Sequence, residues 1–164
     1  MLKYTICFIQ RGNQLLLLNR EKSPNMGKWN GVGGKIEKNE SPKESILREV
    51  SEETGIVLPT VTYAGNVIWK SNGEYAGMYV FLADLPSGCH PATLVKTREG
   101  ILDWKEITWV LDRDNHGVVD NLKQFLPLLL SGHYGLEHIF FYQNHRILDY
   151  TTRPLPFDAT LHSS

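Results

Sequence analysis

Cysteine is nearly absent: the chain has two, Cys7 and Cys89, and neither belongs to a Cys-x-x-Cys pair. A disulfide framework and a cysteine-bound zinc site are thereby excluded, and two reduced thiols in a cytoplasmic protein are the natural expectation. Long apolar runs are missing too. Residues 6–9, 15–18 and 128–130 form the apolar clusters, far below the ~20 residues of a membrane-spanning helix, so no membrane association is expected. The amino-terminal residues show no signal-peptide cleavage pattern. There is no basic excess: 17 Lys and Arg stand against 18 Asp and Glu, a net charge of −1, which argues against an extended nucleic-acid surface. Repeats, low-complexity tracts and linker-like stretches are lacking as well. What remains is 164 residues, 41% hydrophobic and 21% charged, the material of one globular domain over 1–164. Its core is expected at about residues 3–151, with 153–164 a loosely held tail.

The near-neutral total conceals one acidic island. Residues 37–53 hold six of the 18 acids, Glu37, Glu40, Glu44, Glu49, Glu52 and Glu53, against Lys38, Lys43 and Arg48. Ser41-Pro42 followed by Glu44 reads as a capping box with proline in the first turn, so a helix is expected from there to about Thr54, stopped by Gly55. Its buried stripe would be Ile46, Leu47 and Val50. Upstream, residues 4–9 and 14–19 read as strands around Arg11-Gly12-Asn13, and the glycine-rich stretch 23–35 reads as irregular. Downstream, strands are expected at 60–70, 75–85, 102–110, 136–142 and 146–151, with a second helix at 118–130 tightened by Pro127. Strands outnumber helices, and a mixed α/β class with helices packed on a sheet follows.

On a helix Glu49, Glu52 and Glu53 crowd one face, where like charges repel. An ordinary solvated face does not need a run of glycines beside it. Hard carboxylate oxygens at this density suit Mg2+ or Mn2+ together with a substrate's phosphates. Arg48 can orient a neighbouring carboxylate through a bidentate hydrogen bond, and the glycines let backbone approach metal or phosphate closely. Other phosphate motifs fail: Gly34-Lys35 is followed by Ile36 where a Walker A loop needs Ser or Thr, and no G-x-G-x-x-G occurs.

Gly34, Glu40 and the run Arg48-Glu49-Val50-Ser51-Glu52-Glu53-Thr54-Gly55-Ile56 reproduce every defined position of G-x5-E-x7-R-E-U-x-E-E-x-G-U, U being aliphatic. Nine restricted positions over 23 residues make the sequence resemble the Nudix hydrolase family. The resemblance implies an α/β/α sandwich around a mixed sheet with a loop–helix–loop metal site. It further implies Mg2+-dependent hydrolysis of a nucleoside diphosphate linked to another group, with Mn2+ as an alternative cation. It makes Glu49, Glu52 and Glu53 metal ligands, with a carbonyl of Gly33 or Gly34, and it gives the role of general base to one of these glutamates or to one outside the motif, for which Glu99 is the candidate. Lys35 and Arg20 are candidates for phosphate contacts.

The stretch from Gly27 to Lys35, together with Ile147-Leu148-Asp149-Tyr150-Thr151, resembles the MutT-type, 8-oxo-dGTP diphosphatase-like branch of that family. That implies a small nucleotide as partner, a nucleoside triphosphate with an oxidised purine, cleaved to monophosphate and pyrophosphate. Asn30 would hydrogen-bond the purine, with Asp120 and Asn121 beside it and an aromatic such as Trp29, Tyr79 or Phe81 for stacking. Trp69, Trp104 and Trp109 read as packing residues. ADP-ribose, dinucleoside polyphosphates, alarmones and RNA 5′ ends are the alternative substrates, and a non-catalytic nucleotide sensor is the alternative class. Homodimers are common in the family the sequence resembles.

Overall fold

The structure is a computed structural model that describes residues 1–23, 25–91 and 95–156. In chain order the elements are β1 (Tyr4–Arg11), β2 (Gln14–Arg20), β3 (Trp29–Asn30), β4 (Val32–Lys35), α1 (Pro42–Thr54), β5 (Thr62–Ser71), β6 (Glu74–Asp84), β7 (Val95–Lys96), β8 (Gly100–Glu106), α2 (Ile107–Leu111), α3 (Leu122–Leu130), β9 (Leu136–Gln143) and β10 (Arg146–Pro154). The strands form one sheet in the order β10-β9-β5-β6-β1-β2-β8-β7, with β3 on β2 and β4 on β1. β1–β6 and β5–β9 run parallel and the other pairs antiparallel, so the sheet is mixed as expected.

β1 and β2 pair only near their hairpin, through Ile9↔Leu16 to Arg11↔Gln14, and then splay. β4 fills the gap along β1 from Tyr4 to Cys7, and β3 fills it along β2 at Leu18 and Asn19. The glycine stretch is thus not wholly irregular: sheet pairing overrides the poor strand propensity of Gly33 and Gly34.

Alternation along the central strands builds two cores. Ile6, Phe8, Leu15 and Leu17 face Val110, Leu122, Phe125 and Leu126, beneath α2 and α3. Cys7, Ile9, Leu16 and Leu18 face Ile46 and Val50 of α1. The sheet therefore lies between α1 on one side and α2–α3 on the other. Cys7 is fully buried and burial pushes its thiol well up, so it is an inert core residue.

Four expectations need correction. The strand expected over 102–110 ends at Glu106, because Ile107 N–H donates to Asn13 O and the chain turns into α2. The second helix starts at Leu122 rather than 118, since residues 117–119 bond to Trp29 instead. Leu47 is only half-buried, whereas Ile46 and Val50 are fully buried. Arg153 and Pro154 are not a loose tail but belong to β10, and Arg153 pairs with Glu137 at 2.7 Å. Residues 157–164 of that tail lie outside the described residues. No helix among the described residues is long and apolar enough to cross a membrane.

One buried base should make this fold acid-sensitive. His138 is 0% exposed, with Phe125 at 5.9 Å and Tyr150 stacked at 6.0 Å between ring centroids. Its Nδ1 meets Tyr150 Oη at 2.7 Å, while Nε2 has no partner. Burial lowers its pKa from 6.5 to about 4. The unfolded chain therefore binds a proton first, so stability is intact above pH 6.5 and falls as pH drops toward 4. Thermal melts across that range should show the loss, and His138→Gln, whose amide does not titrate, should flatten it; an unchanged slope would refute the assignment.

Candidate active site

α1 begins with the capping box read from the sequence. Ser41 Oγ accepts from Glu44 N–H at 3.1 Å, and Glu44 Oε1 accepts from Ser41 N–H at 3.2 Å. It ends at Gly55, whose φ of 76° suits glycine and whose N–H returns to Ser51 O. Between these caps, Arg48 is placed to reach back over the preceding loop. Its Nε and Nη2 donate to the two oxygens of Glu40 at 2.7 and 2.9 Å, a bidentate pair. Nη1 donates to Glu49 at 3.0 Å and Glu52 at 3.2 Å, and Nη2 also reaches Lys35 O at 3.3 Å. One guanidinium thus joins the glycine strand, the loop and two helical carboxylates. The fork holds Glu40 down at about 2, well below the usual carboxylate range.

Glu49 lies against Gly34, where a Cβ would sit 2.4 Å from its Oε1. Any side chain at 34 would push the carboxylate away, which is the physical reason for glycine there. Glu53 is 8% exposed and its Oε2 is buried without a partner. Burial raises the pKa of both Glu49 and Glu53, and the charge of Glu99 raises both further. Glu99 therefore faces the same acids from the loop entering β8, anchored by its N–H to Thr97 Oγ1 and by its carbonyl accepting from Glu21 N–H.

Among the described residues, no three His, Cys, Asp or Glu side chains converge into a ready-made cation cage. The donor chemistry nevertheless fits a hard divalent cation. The oxygens are all carboxylate or carbonyl, Glu53 Oε2 lacks a partner, and mutual repulsion among Glu49, Glu53 and Glu99 is what a cation relieves.

A cavity of about 630 Å3 lies at the other end of β3 and β4. Trp29 N–H bonds to Gly117 O at 2.8 Å and its carbonyl accepts from Val119 N–H at 3.0 Å, which draws the start of α3 up to β3. Asn30, Asp120 and Asn121 consequently line one cavity, with Lys28, Trp69 and Tyr142. Asn30 Oδ1 accepts from Gly31 N–H at 2.8 Å, leaving Nδ2 as its donor. Tyr142 Oη donates to Asp120 at 3.0 Å, and Asn121 Oδ1 is buried without a partner.

Other candidates fall elsewhere. Tyr79 and Phe81 are buried in the α1-side core, and Trp29 packs against the opposite core with Lys105 Nζ 4.5 Å from its ring; none of the three lines this cavity. The aromatics that do are Trp69, which reads from sequence as packing, and Tyr142, which sequence reasoning missed. Strand alternation offered a signal for both, but not which face held the cavity. Of the two candidates for phosphate contacts, Arg20 caps its own loop through Lys22 O and Ser23 O, and Lys35 is exposed on β4 with its carbonyl accepting from Arg48 Nη2.

The NUDIX domain model matches residues 2–127. Over 152 residues the chain is 26% identical to the oxidized purine nucleoside triphosphate hydrolase of Mus musculus, covering 92% of this chain and 93% of that protein. It is 30% identical over 141 residues to the uncharacterized Nudix hydrolase YvcI of Bacillus subtilis, covering 83% of each. Among solved structures, the Mutator MutT protein of Bacillus halodurans has a TM-score of 0.77 at 26% identity, over 95% of this chain and 100% of that one. With its acidic helix, its glycine strand and this match over most of its length, the chain belongs to the NUDIX family.

Proposed function

We propose that the chain is a Mg2+-dependent pyrophosphohydrolase of nucleoside triphosphates, oxidised purine nucleotides such as 8-oxo-dGTP above all, releasing the monophosphate and pyrophosphate. One observation carries this reading: Asn30, Asp120 and Asn121 share a cavity, and four residues after Asn30 the same backbone places Gly34 against Glu49. At about 3.3 Å per extended residue the two are at most about 13 Å apart along the chain, the reach from a base to its phosphates.

Glu49, Glu52 and Glu53, with the carbonyl of Gly33 or Gly34, would hold the cation. When bound, a divalent cation (Mg2+, with Mn2+ able to replace it) neutralises phosphate charge and eases ionisation of water. The protein's part is positional and protonic. Arg48 fixes Glu49 and Glu52 from one side while Glu40 fixes Arg48. Glu99 takes the proton as water attacks phosphorus and a P–O bond of the α–β bridge breaks, so that the nucleoside monophosphate and pyrophosphate separate. In the cavity, Asn30 Nδ2 donates to a purine acceptor, while Asn121 Oδ1 and the carboxylate of Asp120 accept from ring or exocyclic N–H groups. Trp69 offers the stacking surface.

Comparison of kcat/KM for 8-oxo-dGTP, dGTP, ADP-ribose, diadenosine polyphosphates and guanosine alarmones tests the reading. The oxidised triphosphate should lead. Tenfold preference for ADP-ribose or an alarmone would overturn it. Asn30→Ala should cost roughly tenfold in discrimination between bases, and an equal loss on every substrate would remove Asn30 from base recognition.

A further inference from the structure

A second cavity, of about 600 Å3, lies on the opposite face of the sheet from the base pocket. Alternation along β5 separates the two: Val67 and Trp69 face the core under α3, whereas Asn66, Ile68 and Lys70 face this cavity. α1 packs on β1 and β4, so the cavity lies beyond it, with Met1 and Leu2 at its border.

Its wall is ordered by strand register. Arg153, Glu137, Asn66 and Tyr79 align across β10, β9, β5 and β6. Arg153 Nε donates to Glu137 Oε1 at 2.7 Å, Asn66 Nδ2 donates to Oε2 at 3.0 Å, and Tyr63 Oη donates to Asn66 Oδ1 at 2.5 Å. Glu137 is 4% exposed and Asn66 is 3% exposed. Burying a carboxylate carries a desolvation cost that apolar residues of the same volume would avoid. What the arrangement achieves is a fixed guanidinium. Arg153 is 55% exposed, its Nε is committed to Glu137, and its Nη atoms have no hydrogen-bond partner among the described residues. They form a planar fork suited to a carboxylate or phosphate. Ile68, two residues along β5 from Asn66, is 3% exposed; the partly exposed apolar side chain beside the arginine row is Leu2, whose N–H donates to Tyr79 Oη at 3.2 Å, and Lys70 lies about 13 Å from that row. Exposed Glu74 lines the same cavity.

We propose that this cavity binds a small flat organic anion, its oxygen group on the Arg153 fork and its ring on Leu2, and that occupancy is felt in the base pocket. The connection is the β5–β6 turn: Ser71 and Asn72 line the base pocket, while Gly73, Glu74 and Tyr75 line this cavity. The site does not rest on the substrate assigned above, and its test does not use turnover. The 15N-labelled full chain is titrated with 1-naphthoate, 1-naphthyl phosphate and uncharged 1-naphthalenemethanol. At least one anion should shift the amides of Ile68, Gly77 and Arg153 and, with the same saturation curve, that of Asn72. The stronger anion tells carboxylate from phosphate. The alcohol should bind at least about tenfold more weakly, and Arg153→Gln should weaken the anions by about as much. Should Arg153→Gln fail to fold, Arg153→Lys keeps the charge without the fork and should also weaken binding. Equal affinity for the alcohol, shifts confined to Asn30 and Asn121, no shifts at millimolar probe, or anion binding untouched by a folded Arg153 variant would each overturn the proposal.

Discussion

Glu53→Gln should lower kcat by roughly 10^3-fold, about 4 kcal/mol of barrier, while leaving the protein as stable as before or more so. The two halves of this result have one cause. Glu53 is 8% exposed, its Oε2 has no partner, and burial together with the charge of Glu99 already opposes its ionisation. A neutral amide of the same shape removes that opposition, so the metal-free melting temperature should hold or rise. It also removes an anionic oxygen from the proposed cation site, so turnover should collapse. Steady-state kinetics and thermal melts on the same preparation check both. Activity within tenfold of wild type would remove Glu53 from the site, and a large fall in melting temperature would make it a structural residue.

Arg48→Ala should fail in the opposite way, losing fold and activity together. Glu40 and Glu49 are 13% and 14% exposed and would be left facing one another without their shared cation. Breaking such a pair deep inside a protein costs about 3–5 kcal/mol. Arg48 itself is 23% exposed, so partial solvation brings the expected loss to about 3 kcal/mol, or roughly 6–12 °C. The pH dependence identifies the cause. Because Arg48 holds Glu40 at about 2, its contribution is complete above pH 4.5 and disappears as pH falls through that range. The gap between wild type and Arg48→Ala should narrow over the same interval. A constant gap would mean that packing of the arginine stem, not its charge, stabilises the loop.

The acidic helix was legible because its signals are local. Ser41, Pro42, Glu44 and Gly55 act within a turn of where they stand, and the structure places each cap where the spacing does. β3 and β4 were hidden because nothing local marks them: Gly33 and Gly34 become strand residues only when β1 and β2 splay and leave a gap. The turn into α2 was hidden for a related reason. Ile107, Thr108, Trp109 and Val110 favour strands, and the bond from Ile107 N–H to a carbonyl of the β1–β2 turn decides otherwise. Asn30, Asp120 and Asn121 line one cavity. Their aromatic neighbours Trp69 and Tyr142 come from strands far along the chain, and choosing them required the sheet order.

The Arg48 fork turns the spacing of the acidic motif into a ruler. Glu40 lies before the helix, Arg48 in its middle, and Glu49 and Glu53 beyond, with Gly34 on the adjoining strand as the fixed end. Each helical residue advances the face by about 100°. One residue inserted between Ser41 and Arg48 would therefore turn the arginine away from Glu40 and swing the Glu49 carboxylate off Gly34 in the same motion. From Gly34 to Glu53 the number of residues is therefore as constrained as the identities of Gly34, Glu40, Arg48 and Glu49 themselves.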